Sequence, residues 1–369
     1  QKSYNLNLIN RRQIGVMEIG VGLDPTLGLS ICEDTEASQK AALLGYESIW
    51  TPEGTGQDSY QICLMRWAAT NKVVDGGLYT GIAVSPVIWR THMAFAMAGG
   101  TVSKLTGGKF IMGLGAGSIY RPASRKTLNI PKNSTLDLMR EYISVVKQLV
   151  NGEKLNHNGI LMSLSEAQLA IEPPPKTPIY LGALGPKMLG IAGELADGAA
   201  LNWCSPDQIS WSRERIKEGA RIANRDSSKI KVSQYIRVCV DDDEDKARIE
   251  LAKATMHYAL GATVPSEREK TFGYRAHFER MGFRNELANL DEMRVKGATE
   301  NELAEAFPVN ILREVAYFGK ADQAASEFAR LSQGLDKAIV RVVSSTPGKM
   351  EGTINVIEAC APDLVRRNI

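Results

Sequence analysis

From Met17 onward the chain alternates two kinds of hydrophobic pattern. Short runs of apolar and β-branched residues read as strands: MEIGVGL (17–23), YESIWT (46–51), GLYTGIAV (77–84), GKFIMGLG (108–115), PIYLGAL (178–184), GAALNW (198–203), KIKVSQYIRVCV (229–240) and DKAIVRVVSS (336–345). Each precedes a stretch with apolar residues at helical spacing. These are Glu33 to Leu44, 59–72, 91–105, 134–151, the run GPKMLGIAGELA from Gly185, 206–224, 242–260 and 350–362. Gly45 follows the first of them where a left-handed residue ends a helix.

Eight strand-then-helix units predict parallel strands joined by right-handed crossovers. The strand runs are apolar on both faces, as suits strands covered on both sides. They close most simply into an α/β fold of the (β/α)8 TIM barrel type, one barrel domain over 17–369. The alternative, a doubly wound open sheet, lacks G-x-G-x-x-G after its first strand. Two segments break the rhythm. Residues 152–177 form an excursion ending in Pro173-Pro174-Pro175, and the polar, Arg- and Glu-rich 262–310 is an insertion before the eighth strand. Placed between the last two strands, it is expected to reach the mouth as a lid. Residues 1–16 read as an N-terminal extension and lack the apolar run of a secretory signal.

Charge narrows the partners. The 369 residues hold 44 Lys+Arg against 42 Asp+Glu, which leaves no electrostatic footprint for nucleic acid or an anionic membrane. No window approaches the roughly 18 apolar residues that span a bilayer. Cys32, Cys63, Cys204, Cys239 and Cys360 are scattered without C-x-x-C spacing. They favour a reducing cytoplasm over a disulfide framework or zinc site.

The strand ends, where barrels hold their active sites, are poor in reactive groups. They offer Asp24, Thr51-Pro52-Glu53, Ala83-Val84-Ser85-Pro86, Gly115-Ala116-Gly117-Ser118, Ala183-Leu184-Gly185-Pro186, Asn202-Trp203, Asp241 and Ser344-Ser345. The four histidines, His92, His157, His257 and His277, show no ligand spacing, so no metal is expected. So few reactive groups imply that the chemistry comes from a cofactor. Gly115 to Ser118 lets a flat ring or phosphate approach the backbone, and Gly185-Pro186 opens a helix whose free amides suit an anion, with Lys187 adding charge. Glu53, expected beside an apolar ring, is the candidate proton carrier. Asp24 either faces substrate or forms an Asx turn. Asn202 and Trp203 are candidate substrate-pocket residues, His92 is expected to be structural, and Asp241 to Asp245 to start a helix. Arg213, Arg215 and the basic residues of 267–284 read as solvated faces.

Three runs carry a family resemblance: GGLYTGIAVSPVIWRTHMAFAMAGGTVSKLTGGKFIMGLGAGS, LMREYISVVKQLVNGE and PIYLGALGPKMLGIAGELADGAALNW. Together they resemble the bacterial-luciferase-like superfamily, closest to its deazaflavin (coenzyme F420)-dependent branch, which includes methylenetetrahydromethanopterin reductases. The resemblance extends from about Met17 to Val343. It implies a barrel that binds coenzyme F420 or FMN at its mouth, usually in a homodimer. It also implies a strand-three bulge with a non-prolyl cis peptide at Ile82-Ala83, continued by Val84, supporting the ring from behind. Gly115, Ala116, Gly117 and Ser118 would then line the cofactor tail. Ala183, Leu184, Gly185, Pro186, Lys187 and Met188 would take its phosphate, and Glu53 would lie near the redox ring.

Sugar-phosphate dehydrogenases of that branch carry a His and a Glu where this chain has Gly54 and Ser118, so their acid–base chemistry does not transfer. The implied activity is hydride transfer between coenzyme F420 and a small carbonyl, imine or pterin-type substrate, with an FMN-dependent monooxygenase as the alternative. Two other readings keep the barrel. One is a glycosidase-like enzyme using Asp24 and Glu53 as its pair, the other a cofactor binder without turnover.

Overall fold

A computed structural model describes residues 17–369 apart from 120, 121, 128, 132, 133, 173, 262 and 267–269. The extension 1–16 and Pro173 therefore lie outside the described residues. The first half of the chain runs β1 (Glu18–Gly22), α1 (Ile31–Leu43), β2 (Ser48–Thr51), α2 (Ser59–Thr70), β3 (Tyr79–Ile82), β4 (Ser85–Pro86), α3 (His92–Leu105), β5 (Phe110–Gly115), α4 (Pro122–Thr127) and α5 (Thr135–Val150). It continues with β6 (Leu155–Asn158), β7 (Ser163–Ala167), β8 (Ile179–Gly182), α6 (Pro186–Leu195), β9 (Gly198–Asn202), α7 (Pro206–Ile222), β10 (Lys231–Val240) and α8 (Glu244–Ala259). The last part holds α9 (Gly273–Arg280), α10 (Arg284–Val295), α11 (Glu300–Glu305), α12 (Val309–Val315), β11 (Ala316–Gly319), α13 (Ala321–Leu331), β12 (Lys337–Val342), α14 (Met350–Ala359) and α15 (Pro362–Arg366).

The eight expected strands pair in parallel in the order β1-β2-β3-β5-β8-β9-β10-β12, and β12 returns to β1. The ring is closed, a TIM barrel. Inward alternation from different strands brings Trp50, Ile111, Tyr180, Tyr235 and Ile339 into one interior cluster, with Ala83 packed against it. The outward residues, such as Ile19, Val21, Ile49 and Leu181, join the large core beneath the helices. Helix starts follow local chemistry. Ser30 and Glu33 form a capping box on α1, and Asp58, Thr91, Ser134, Ser205 and Asp243 cap α2, α3, α5, α7 and α8. Asp243 thus gives the acidic run its helix-start role, while Asp241 pairs with Lys246 at 2.8 Å.

The excursion is an antiparallel hairpin, β6–β7. Glu141 of α5 docks it, accepting from the Ile160 amide at 2.8 Å, with His157 and buried His92 facing the same carboxylate at 3.5 and 3.2 Å. His92 is structural, as expected, stacked on Tyr142.

The insertion forms α9 to α12, whose Phe278, Phe283, Leu287, Phe307 and Ile311 build a second core with Trp203 and Cys239. Among the elements that escaped the sequence reading are β11, which pairs with the C-terminal end of β10 from Arg237↔Ala316 to Val240↔Gly319, and α13 behind it. β11 follows directly on α12, so no turn signal marks where it begins. The expectation of solvated faces also fails at Arg275, which is buried between Glu279 and Asp291, each at 2.8 Å. Second-core packing encloses this helix on its basic side, so its charge is paired internally.

Among the described residues no helix is long and apolar enough to cross a membrane, and no cluster of three His, Cys, Asp or Glu could hold a metal. All five cysteines are free.

Candidate active site at the barrel mouth

The mouth is built first by a fault in the third strand. β3 meets β5 at Gly81↔Ile111, and β4 meets it again at Ser85↔Leu114. Four steps along one strand thus span three along the other, the signature of a bulge. The room for it comes from glycine. A Cβ on Gly113 would lie 1.8 Å from the Ile82 carbonyl oxygen, and one on Gly115 would lie 2.3 Å from Val84 Cγ2. Val84 also lies over Gly182 of β8. The non-prolyl cis peptide joins Ala83 to Val84, one residue beyond the expected Ile82-Ala83. The reason lies in the ladder. Ile82 is still paired with Thr51 of β2, and the Ala83 amide still donates to the Thr51 carbonyl at 2.9 Å. The next bond is the first one free of that pairing.

Below the bulge sits Glu53, buried at the end of β2. Sequence reasoning expects an apolar setting, but the structure surrounds the carboxylate with donors. Arg90 grips both oxygens, at 2.6 and 2.7 Å, the Ser85 hydroxyl donates to Oε2, and the Ser59 amide reaches Oε1 at 3.3 Å. Arg90 also donates to Asp58 at 2.6 Å. Burial works to raise the Asp58 carboxyl, yet its contacts with Arg90 and the α2 amides hold it below the ordinary value. The sequence reading passed over Arg90 because it lies four residues beyond the strand-end motif. Asp24 is likewise engaged. It caps the turn after β1 by accepting from the Thr26 amide, and it contacts the buried Arg341 guanidinium of β12. Each member of the glycosidase-type pair is held by its own arginine.

The second glycine turn is open. Gly185 has nothing within 4 Å of where a Cβ would stand, and α6 begins there without a capping side chain. Pro186 has no amide hydrogen, so the Lys187 and Met188 amides are the uncapped donors. Ala183 is buried, Leu184 and Met188 are half-buried, and Pro186 and Lys187 are exposed. At the end of β5, Gly115 is buried, Ala116 half-buried, and Gly117 and Ser118 exposed, with Gly117 in the left-handed region. A planar ring with a phosphate-bearing tail would rest on the bulge that fills the space left at Gly113, Gly115 and Gly182, with its tail toward the uncapped amides beyond.

Across the mouth, β9, β10 and β12 present large polar side chains. Trp203, also in the left-handed region, is fully buried against Phe278 and Tyr258, so it does not line an open pocket as expected. The close packing of the insertion encloses it. Half-buried Asn202 accepts from Arg237 and donates to the Tyr274 hydroxyl at 2.8 Å. His277 of α9 contacts the Trp203 carbonyl at 2.8 Å and lies 3.7 Å from the Cys204 thiol. Burial pulls His277 down to about 4 and pushes Cys204 up to about 12, so this is a neutral pair and no activated nucleophile. Arg280, half-enclosed, donates to the Leu184 carbonyl at 3.1 Å. Helix α9 therefore touches the ends of β8 and β9 directly.

The closed parallel barrel, with buried carboxylates and glycine turns at the carboxyl ends of its strands, defines a TIM-barrel enzyme fold. Residues 18–337 match the model of the luciferase-like monooxygenase family, and the chain belongs to that family. It is 31% identical over 175 residues to the 5,10-methylenetetrahydromethanopterin reductase of Archaeoglobus fulgidus, a match covering 47% of this chain and 51% of that one. The aligned part thus spans about half the length of that relative. The fold superposes on the coenzyme F420-dependent tetrahydromethanopterin reductase of Methanopyrus kandleri with a TM-score of 0.73 at 20% identity, covering 94% and 99% of the two chains. A long-chain alkane monooxygenase shares the fold at TM-score 0.67 and 15% identity, covering 96% and 92%.

Proposed function

We propose that this barrel transfers a hydride between coenzyme F420 and a small carbonyl, imine or pterin-type substrate. The observation that carries the proposal is the β3–β4 bulge in its glycine cradle, a support shaped for one face of a flat ring. When bound, a deazaflavin supplies a hydride as an obligate two-electron carrier that reacts poorly with oxygen. Ile82, Ala83 and Val84 back the ring, and Gly115, Ala116, Gly117 and Ser118 line the tail. The amides of Lys187 and Met188, at the turn from Ala183 through Leu184, Gly185 and Pro186, hold its phosphate, with the Lys187 ammonium beside them. Glu53 handles the proton through its contact with the Ser85 hydroxyl, while Arg90 fixes the carboxylate in place.

The relatives named as reductases support coenzyme F420. The family description and the alkane monooxygenase fold favour the second reading, FMN and oxygen chemistry, since both cofactors share the ring shape and ribityl phosphate. Titration of the purified protein with F420 and with FMN, followed by fluorescence, separates them. Preferential binding of F420 is expected. Preference for FMN moves the protein to the monooxygenases and makes oxygen uptake the next assay. Binding of neither ends both.

A further inference from the structure

The wall formed by β9, β10 and β12 is rich in donors and short of acceptors. Arg237 is 2% exposed, with its guanidinium 3.6 Å from the centre of the Trp203 ring and 5.0 Å from that of Tyr258. Outside the phenols, its guanidinium donates to Asn202 Oδ1, a neutral group. Among the described residues no carboxylate pairs with it; burial disfavours its charge, and the neighbours that offset this are the phenols Tyr258, Tyr274 and Tyr235. The residue directly beside it in the sheet shows the alternative: Arg341, in register with Arg237, has the Asp24 carboxylate at contact. Two further buried donors on this wall lack acceptors, Trp203 Nε1 and the Tyr235 hydroxyl. Tyr235 lies two residues before Arg237 on the same face of β10.

A buried charge without a counter-ion is costly, and aromatic stacking offsets only part of that cost. The wall lacks one acceptor-rich group. We infer that Arg237, with Tyr235, is the anion subsite of the substrate pocket, and that the substrate bears a carboxylate. The assignment rests on the hydride-transfer reading for where substrate lies. β3 and β10 stand four positions apart in the ring of eight strands, so the bulge and Arg237 face each other across the mouth. A ring backed by the bulge leaves the substrate between the two. Asn202, which receives Arg237, also holds Tyr274 of α9, so the same residue ties the charge to the insertion above it.

The probes are pyruvate and its neutral counterpart methyl pyruvate, titrated calorimetrically into the full chain with and without F420 in a buffer free of other carboxylates. Wild type is expected to bind pyruvate at least tenfold tighter than the ester. Arg237→Gln should erase that preference and Arg237→Lys should keep part of it, with F420 affinity unchanged within threefold in both. Equal binding of acid and ester by wild type overturns the inference, as does an undiminished preference in Arg237→Gln. Loss of F420 affinity with the preference intact also overturns it, because the guanidinium would then serve an ionised cofactor ring. A pyruvate preference in a protein that binds no F420 keeps the anion subsite and ends the F420 reading instead.

Discussion

The two sides of the barrel mouth are made on opposite plans. Along β3, β5 and β8 the wall consists of backbone: Gly113, Gly115 and Gly182 withhold side chains so that the strand-three bulge can sit among them. Along β9, β10 and β12 the wall consists of Asn202, Trp203, Tyr235, Arg237 and Arg341, roofed by the aromatic core of the insertion. The first plan suits a bulge packed tightly into the barrel wall, because each missing Cβ leaves room for Ile82 or Val84. The second suits a partner recognised by charge and hydrogen bonding, where each donor must find an acceptor. On the proposed function, the first wall would hold the cofactor and the second would choose the substrate.

The contrast breaks most visibly at Glu53, the one carboxylate set against the bulge. Glu53→Gln should keep the contacts with Ser85 and the Ser59 amide and lower turnover by roughly 10²- to 10⁴-fold with F420 affinity unchanged. If affinity and turnover fall together, Glu53 only supports the bulge. Next in size is Gly113→Ala. A methyl 1.8 Å from a backbone carbonyl has no flexible neighbour to displace, so a loss of about 3 kcal/mol in urea unfolding is expected, accompanied by weakened cofactor binding. Unchanged stability would show that the bulge does not depend on the cradle.

The smallest effect tests the other wall. His277 is buried and held near 4, chiefly by desolvation, against about 6.5 in an unfolded chain. The unfolded state therefore binds more protons between those values, so stability is complete above about pH 6.5 and declines as the pH falls toward 4. His92, also held near 4 by burial, contributes in the same direction. Unfolding measured across that window should show a slope reduced by one proton, about 1.4 kcal/mol per pH unit, in His277→Gln. An unreduced slope would mean that the roof opens before the histidine titrates.

Legibility in the sequence follows the same division. The glycine wall was visible, since Gly115 to Ser118 and Gly185-Pro186 are contiguous and mark their turns locally. The bulge, which only the family resemblance implied, fell within one residue of its place. The side-chain wall was not. Arg237 looks like one more polar residue in a long strand, Arg341 like another, and Trp203 like a pocket residue until the insertion folds over it. The basic residues of 267–284 carried no sign that Arg275 would be paired internally or that Arg280 would reach Leu184.

By itself, then, the sequence determined the number and order of the barrel strands, hence the closed barrel, and the two turns stripped of side chains. These are local properties, written in periods of two and 3.6 residues and in the conformational freedom of glycine. The tertiary structure alone decided the partner of each charge. Asp24 meets Arg341 because closing the ring lays β12 against β1, and Glu53 meets Arg90 because the bulge brings β4 over the end of β2. Arg237 meets no carboxylate among the described residues. Pairing depends on distance in space, and residues hundreds of positions apart acquire that distance only when the barrel closes.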